Sequence, residues 1–332
     1  MHYVGHLSRS DPLYGYLRHD ILPQLGMDGV APEFRVHRLR ASNHVYLYEE
    51  RHSGIRIVGK FFQGAAHRSA EAASRRMHAE YRNLRYLRSI GFAGFPHYVA
   101  RPLGCNAGLN LVLVEEFCEG RLLADFILGA IRHGTRDALF QKLGALARFL
   151  ATLHNRTADD SRVDFGPECA YFDRITAQLT SGGRIGHNEV RALYQRRDRW
   201  RARGCMWEDR QVLIHGDVTP SNILLGDGPW VIAIDLEHMK RTDRVFDVGR
   251  VAGELKHFFM QYAGDRWSAE PFIGHFLWEY ACHFPDRDAA FRSITARVPF
   301  YMGLTLLRIA RNDWIAAEHR VRLVDEALTT LA

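Results

Sequence analysis

The stretch HGDVTPSN, residues 215–222, follows an apolar run at residues 212–214 and places an Asp and an Asn five residues apart. A second apolar run ends at Asp235, within the sequence IDLE at residues 234–237. Short apolar runs bounded by turn-forming residues indicate strands. Two strands that end in carboxylates and are joined by a short turn can hold a base and oxygen ligands for a divalent metal ion around one point. The spacing therefore predicts a reactive centre in this part of the chain.

The composition is that of a globular protein with one large or two medium domains. The chain has 332 residues, of which 47% are hydrophobic and 25% are charged. It does not open with a charged segment followed by an apolar one, and no apolar run approaches the length of a membrane-spanning helix. Five cysteines are scattered without CxxC pairs, so neither a zinc site nor a disulfide framework is indicated. We therefore expect a cytoplasmic protein with no membrane partner.

The net charge of +6 is carried almost entirely by arginine. No recognised nucleic-acid-binding module is present and the basic residues do not fall on one predictable face, so nucleic acid is not an expected partner. Only four of the 44 basic residues are lysines, and Lys60 lies in the strand-like run IRIVGKFF. A compact ammonium group suits contact with phosphate oxygens in a tight cleft better than the wider guanidinium group. A lysine at the exposed end of a strand is the equal alternative.

A helix is predicted at residues 77–90, where apolar side chains recur at helical spacing. Glu80 shares the apolar face of this helix with two leucines. An unpaired buried carboxylate is costly, so the position predicts a partner, for which Lys60 is the candidate. Glu71 is the rival acid, although its stretch has no comparable apolar stripe. A solvated Glu80 at the edge of the stripe is the alternative.

Two strands are predicted at residues 34–39 and 44–48, separated by a turn that contains Ser42 and Asn43. Such turn-prone residues suit a loop that covers phosphate through its backbone N–H groups, although any hairpin has the same appearance. A further strand ends in EEFCEG at residues 115–120, after which leucines recur at helical spacing. The chain thus divides into a β-rich first third and a helix-rich remainder.

These motifs together resemble the aminoglycoside phosphotransferase and choline kinase family of small-molecule kinases. The resemblance implies an α+β, protein-kinase-like two-lobe fold, with a β-rich N-lobe and a mainly helical C-lobe. It implies an N-lobe at residues 33–115 and a C-lobe at residues 116–332. Residues 1–32 are expected to be an N-terminal extension that packs on the N-lobe, and service to a protein partner is the alternative. The matching segments are HGDVTPSN, IDLE, Lys60 with Glu80, the EEFCEG hinge, LATLH at residues 150–154 and DRVFDVGRVA at residues 243–252.

The resemblance implies a role for each matching residue in transferring phosphate from ATP with the help of Mg²⁺. Asp217 would be the catalytic base that accepts the proton of the acceptor hydroxyl, and Asn222 and Asp235 would hold Mg²⁺. Glu237 would either touch the metal or brace the loop. The residues implied to bind the nucleotide are Lys60, positioned by Glu80, the turn residues Ser42 and Asn43, and the backbone of Glu116 and Cys118. Those implied to hold the catalytic loop are His215 and Asp247.

The segment after Asp235 indicates a small acceptor. Only eleven residues separate Asp235 from Asp247, and they contain neither DFG nor APE, which mark the activation segment of protein kinases. Thr219 also stands where protein kinases usually carry Lys. Because so few residues cannot form a peptide-docking platform, the expected acceptor is the hydroxyl group of an aminoglycoside, amino alcohol, sugar or polyol. An atypical protein-directed kinase and a non-catalytic nucleotide-binding pseudokinase are the alternatives.

The Arg-rich stretch RALYQRRDRWRAR at residues 191–203 admits two interpretations. Its arginines form a solvated helix face, or they favour an anionic or neutral polyol acceptor over a polycation.

Overall fold

The computed structural model describes residues 1–29, 31–39, 44–63 and 69–332. The chain divides into two compact units. The first contains Met1–Gly120 and Ile232–His238, and the second contains Arg121–Val231 and Met239–Ala332. The sequence predicted one boundary between the lobes, at residue 116. It did not predict that the chain returns to the first unit at Ile232–His238.

The first unit is built on an antiparallel sheet. Its strands are β1 (His2–His6), β2 (Phe34–Arg38), β3 (His44–Glu50), β4 (Arg56–Phe61), β5 (Ala93–Gly94), β6 (His97–Val99), β7 (Pro102–Asn106) and β8 (Val112–Glu116). Six of them form a sheet in the order β1-β2-β3-β4-β8-β7 with antiparallel neighbours, and β5 pairs with β6. The strands expected at residues 34–39 and 44–48 are β2 and β3.

The N-terminal segment packs on one face of this sheet. Helix α1 (Pro12–Tyr16), capped by Asp11, is followed by a π-helical turn at Leu17–Ile21 and a 3₁₀ turn at Leu22–Leu25. Their apolar side chains share a core with the sheet, formed by Leu13, Tyr14, Leu17, Ile21, Leu22, Phe34, Val36, Tyr48, Ile57, Leu103, Val112 and Val114. Because Val112 and Val114 face this core, the alternate residues of β8, Leu113 and Glu115, point to the opposite face.

Helix α2 (Ala70–Ser89) carries Glu80 on its buried face. It begins after Ser69, whose hydroxyl caps the first turn, and so it is longer than the helix predicted at residues 77–90. Its first turns consist mainly of alanines and charged residues, which give no apolar stripe for a periodicity argument to detect. Glu71 lies exposed in the first turn.

The second unit is mainly helical. Its helices are α3 (Leu123–His133), α4 (Arg136–Thr157), α5 (Gly166–Ser181), α6 (His187–Arg201), α7 (Val245–Tyr262), α8 (Glu270–Ala281), α9 (Arg287–Thr295), α10 (Val298–Ala310) and α11 (Ala317–Thr330). Short antiparallel pairs join β9 (Arg121–Leu122) to β11 (Ile223–Leu225), and β10 (Val212–Ile214) to β13 (Lys240–Thr242). Strand β12 (Val231–Ala233) spans the point where the chain leaves this unit. Within the described residues, no helix combines the length and apolar character needed to traverse a bilayer.

Helices α7 and α10 approach each other closely at two glycines of α7, Gly249 and Gly253. We refer to these two positions as the glycine seam. A Cβ atom added to Gly253 would lie 2.7 Å from Cβ of Thr305, and one on Gly249 would collide with Tyr301. Both distances are below van der Waals contact, so only residues without a side chain fit here. The seam fixes how far apart the side chains of α7 and α10 lie.

Candidate active site

Lys60 forms the centre of a buried ion cluster in the first unit. Its Nζ lies 2.7 Å from Oε2 and 3.0 Å from Oε1 of Glu80, and it also donates to Oδ1 of Asp235. The expected partnership of Lys60 with Glu80 is therefore present, and Glu71 instead pairs with Arg75 on the helix surface. Burial acts to lower the pKa of Lys60, but the charges of Glu80 and Asp235 outweigh it and raise the pKa.

Asp235 has an unusual backbone conformation. Its φ of 64° lies in the left-handed region, which residues other than glycine rarely adopt. It follows β12 directly and precedes a 3₁₀ turn at Leu236–His238, which Asn83 anchors by donating to the carbonyl of Leu236 at 2.9 Å. Such a conformation costs on the order of 1–3 kcal/mol and is typical of functional sites.

Glu237 extends the cluster and offers a further oxygen ligand. Oxygen atoms of Glu80, Asp235 and Glu237 lie within 4.8 Å of one another, a grouping that could hold a metal ion. Oε1 of Glu237 lies 3.3 Å from His238 and 3.6 Å from Arg76, whereas Oε2 is buried without a hydrogen-bond partner among the described residues. Burial acts to raise the pKa of Glu237, but the hydrogen bond with His238 and nearby positive charges lower it to about 2. The geometry is compatible with both roles that the sequence left open.

Glu115 is a member of the cluster that the sequence reasoning missed. It is 7% exposed, and its Oε1 has no hydrogen-bond partner within the described parts of the chain. Burial, followed by the negative charge of Glu80, raises the pKa of Glu115 to about 8. Glu115 could have been found from the sequence, because a carboxyl group at an inward-facing position of a buried strand needs a partner. We refer to Lys60, Glu80, Glu115, Asp235 and Glu237 as the Lys60 cluster.

Asp217 and Asn222 meet in one loop of the second unit. The amide of Asn222 donates to the carbonyl of Asp217 at 2.9 Å and to its Oδ2 at 3.2 Å. Asp247, in the first turn of α7, accepts hydrogen bonds from the backbone of His215 at 2.7 Å and Gly216 at 2.9 Å. His154 contacts the same carboxylate at 3.2 Å. The side chain of Asp247 on α7 thus holds the backbone of the loop in place.

Two arginines that the sequence reasoning gave no role lie beside Asp217. Arg250 Nη1 donates to Asp217 Oδ1 at 2.6 Å, and Arg308 Nη1 lies 3.5 Å from the same oxygen. Arg308 also donates to Glu254 at 2.8 Å. Arg250 could have been found from the sequence VGRVAGEL, in which it and Glu254 are the only charged residues. Burying either charge without a partner would be costly, so the pattern predicts charged partners for both.

Four further residues are predicted to bind the nucleotide, namely Glu116, Cys118, Ser42 and Asn43. The N–H of Glu116 donates to the carbonyl of Arg101 at 3.0 Å and is therefore engaged within the protein, and Cys118 is half-buried. Their contact with adenine stays a prediction. Ser42 and Asn43 lie outside the described residues.

The Arg-rich stretch at residues 191–203 forms most of α6 and the turn that follows. Arg196 donates to the carbonyl of Leu328 at 2.9 Å, Arg197 pairs with Asp173 at 2.8 Å, and Arg199 is exposed. These contacts fit a helix face that is solvated and anchored to neighbouring segments.

Comparison with known proteins places this geometry in context. The family model described as "Phosphotransferase enzyme family" matches residues 33–283. No curated protein matches the chain by sequence. Among solved structures, choline kinase from Cryptosporidium parvum is 13% identical with a TM-score of 0.64, and the two chains are covered to 96% and 94%. An ethanolamine kinase from Plasmodium vivax is 11% identical with a TM-score of 0.61, with 95% and 87% covered.

A third similar structure is aminoglycoside phosphotransferase APH(2'')-Ib in its ADP-bound form. It is 12% identical with a TM-score of 0.57, and it covers 94% of this chain and 97% of its own. Identities this low show the fold alone, and the predicted α+β, protein-kinase-like fold is confirmed. The family model covers most of the chain. This protein therefore belongs to the phosphotransferase enzyme family, as the sequence resemblance predicted.

Proposed function

We propose that this protein transfers the γ-phosphate of Mg²⁺–ATP to a hydroxyl group of a small molecule. The observation that carries the proposal is the buried Lys60, held between Glu80 and Asp235. A desolvated ammonium group fixed in one position is suited to binding phosphate oxygens. Family membership and the ADP-bound structural neighbour support nucleotide use.

Asp217 would receive the acceptor hydroxyl. Its two carboxylate oxygens are oriented by Arg250 and Asn222, and the backbone bonds to Asp247 hold the loop in place. A carboxylate oriented in this way can accept a hydrogen bond from a hydroxyl group and take its proton as the phosphate is transferred. The names of the neighbours, choline kinase and ethanolamine kinase, support a small acceptor.

Asn222 and Asp235 would hold Mg²⁺, with Glu237 as a further ligand. The donor set suits the ion, because Mg²⁺ prefers carboxylate and amide oxygens and Oε2 of Glu237 is a buried acceptor without a partner among the described residues. When bound, the ion supplies positive charge that neutralises the phosphates.

Nucleotide binding can be tested without knowing the acceptor. A ligand that binds the native state stabilises it, so saturating Mg²⁺ with a non-hydrolysable ATP analogue should raise the Tm. Lys60→Met should remove most of this increase. Lys142→Met is the matched control, because Lys142 bonds to the carbonyls of Gly226 and Gly228 and should leave the ligand-induced increase intact. An unchanged Tm of the wild type would contradict the proposal.

A further inference from the structure

Two arginines contact the candidate base in the second unit, and a third follows them in the chain. Arg250 of α7 and Arg308 of α10 contact Asp217, and Arg311 follows at the end of α10. Arg311 donates to the neutral amide of Gln178 at 2.8 Å, and the pKa values of Arg308 and Arg311 both respond to the charge of Asp217. Together with Glu254, these residues are called the Asp217 cluster.

The Asp217 cluster has more positive than negative charge. Three guanidinium groups share two carboxylates, Asp217 and Glu254, and the side chain of Glu254 is already engaged by Arg308. The donors are also in surplus, since Nε of Arg250 and Nε of Arg308 are buried without hydrogen-bond partners within the described residues. Tyr171 lies close enough to influence the pKa of all three arginines.

The members of the cluster differ in how accessible they are. Arg250 is only 4% exposed and is committed to Asp217, so it acts as a positioning residue. The side chains of Arg308 and Asp217 are 17% and 21% exposed, and Arg311 is half-buried. A ligand that reaches Asp217 therefore has the partly exposed Arg308 beside it, and Arg311 lies about one helical turn further along the chain.

This charge pattern determines which acceptors fit. A polycation would meet the surplus positive charge and would find both carboxylates already paired with arginine. A molecule that carries a carboxylate or phosphate near its hydroxyl would instead receive charge-assisted hydrogen bonds. We propose that the acceptor is a hydroxylated anion whose charged group is bound by Arg308 and Arg311 while its hydroxyl lies at Asp217. The inference rests on the proposed function, since it assumes that Asp217 receives the acceptor.

Matched pairs of acceptors test the inference directly. ADP release is measured with serine against ethanolamine, gluconate against glucose, and glycerate and glycerol 3-phosphate against glycerol, with kanamycin as a polycation. At least one acceptor that carries a carboxylate or phosphate should have a kcat/KM about tenfold or more above that of its counterpart without this group. Comparing glycerate with glycerol 3-phosphate distinguishes a carboxylate from a phosphate as the recognised group.

Variants separate acceptor recognition from a purely structural role. For each pair, the preference is the kcat/KM of the acceptor with the carboxylate or phosphate divided by the kcat/KM of its counterpart, and this is the ratio compared between variants. Arg308→Gln and Arg311→Gln should each lower this ratio, mainly by raising KM for the acceptor that carries the carboxylate or phosphate. Arg199→Gln is the control, because Arg199 is an exposed arginine of α6 and should leave the ratio unchanged. If the arginines only hold Asp217 in place, kcat will fall equally for both members of each pair. The half-buried Arg311 keeps the test informative if Arg308→Gln does not fold.

Several outcomes would overturn the inference. One is a higher kcat/KM for the neutral or cationic members of the pairs. Another is no turnover of any acceptor with a carboxylate or phosphate while the nucleotide-induced rise in Tm is intact. The third is a kcat/KM ratio that neither arginine variant changes. A loss of that rise in Arg308→Gln with the ratio preserved would show that the arginine serves the nucleotide instead. Failure of the wild type to bind nucleotide would contradict the proposed function itself, so the two failures are distinguishable.

Discussion

The Lys60 cluster of the first unit and the Asp217 cluster of the second unit are both buried ion clusters, and they have opposite surpluses of charge. In the Lys60 cluster, four carboxyl groups surround a single ammonium group, with Arg76 at the edge beside Glu237. In the Asp217 cluster, two guanidinium groups contact the two carboxylates and Arg311 adds a third. Buried charge that is not balanced within the protein is costly. The first cluster is therefore suited to a bound cation and the second to a bound anion, because such a ligand would balance the charge that each cluster has in surplus.

The largest predicted effect would separate the functions of the two clusters. Asp217→Asn should lower kcat by about 10²–10⁴-fold, because the amide cannot take the proton of the acceptor hydroxyl. The rise in Tm with Mg²⁺ and the ATP analogue should stay as in the wild type, since the Lys60 cluster is unchanged. Loss of nucleotide binding together with preserved turnover per bound nucleotide would contradict the assignment of these roles.

The next prediction tests whether the glycine seam maintains the Asp217 cluster. Gly253→Val should lower the free energy of unfolding by roughly 3 kcal/mol, because its side chain would press against Thr305. It should also reduce the preference for anionic acceptors by separating Arg308 from Glu254. In Gly274→Ala the new methyl group enters open space on α8, and stability should rise by about 0.5–1 kcal/mol. Urea unfolding measures both, and equal effects of the two variants would contradict the role of the seam.

A pH-dependent effect is expected for Glu115. A carboxyl group whose pKa is raised to about 8 in the folded state contributes stability below its unfolded pKa and loses it as pH rises through 8. Glu115→Gln removes this loss. The variant should therefore gain on the order of 2 kcal/mol relative to the wild type between pH 5 and pH 8.5, measured by urea unfolding without metal or nucleotide.

Glu71→Gln is the control for this pH dependence. Glu71 is an exposed acid of the same unit, and the variant should show no comparable gain. A Glu115→Gln variant whose stability follows the wild type at every pH would mean that Glu115 is not a strained member of the Lys60 cluster.

The smallest predicted effect isolates the backbone of Asp235. Asp235→Gly and Asp235→Ala both remove the carboxylate, but only glycine adopts a φ of 64° without strain. The glycine variant should be more stable than the alanine variant by about 1 kcal/mol in urea unfolding. Equal stability of the two would show that the loop relaxes once the carboxylate is gone.

The sequence predicted the Lys60 cluster better than the Asp217 cluster, for a physical reason. Helical spacing places Glu80 on an apolar face, and a buried acid requires a partner, so local pattern was sufficient to pair it with Lys60. Arg250 and Arg308 come from helices that are far apart in the chain and meet only because the glycine seam brings those helices together. No local pattern encodes that approach. The sequence analysis therefore considered the arginines of residues 191–203 as candidates for acceptor selection, since they are close together in the chain. The left-handed conformation of Asp235 was likewise hidden, since aspartate gives no conformational signal as clear as that of glycine.

The route of the chain has a consequence for how the protein is made. Ile232–His238 belongs to the first unit, although Arg121–Val231 is synthesised in between. Lys60 and Glu80 therefore emerge from the ribosome long before Asp235 and Glu237. During that interval the first unit lacks two of its carboxylates, and it is completed only when this seven-residue segment has been added. A protein truncated at Gly120 would contain the sequence of the sheet and of α2 but would lack Asp235 and Glu237, two of the five members of the Lys60 cluster.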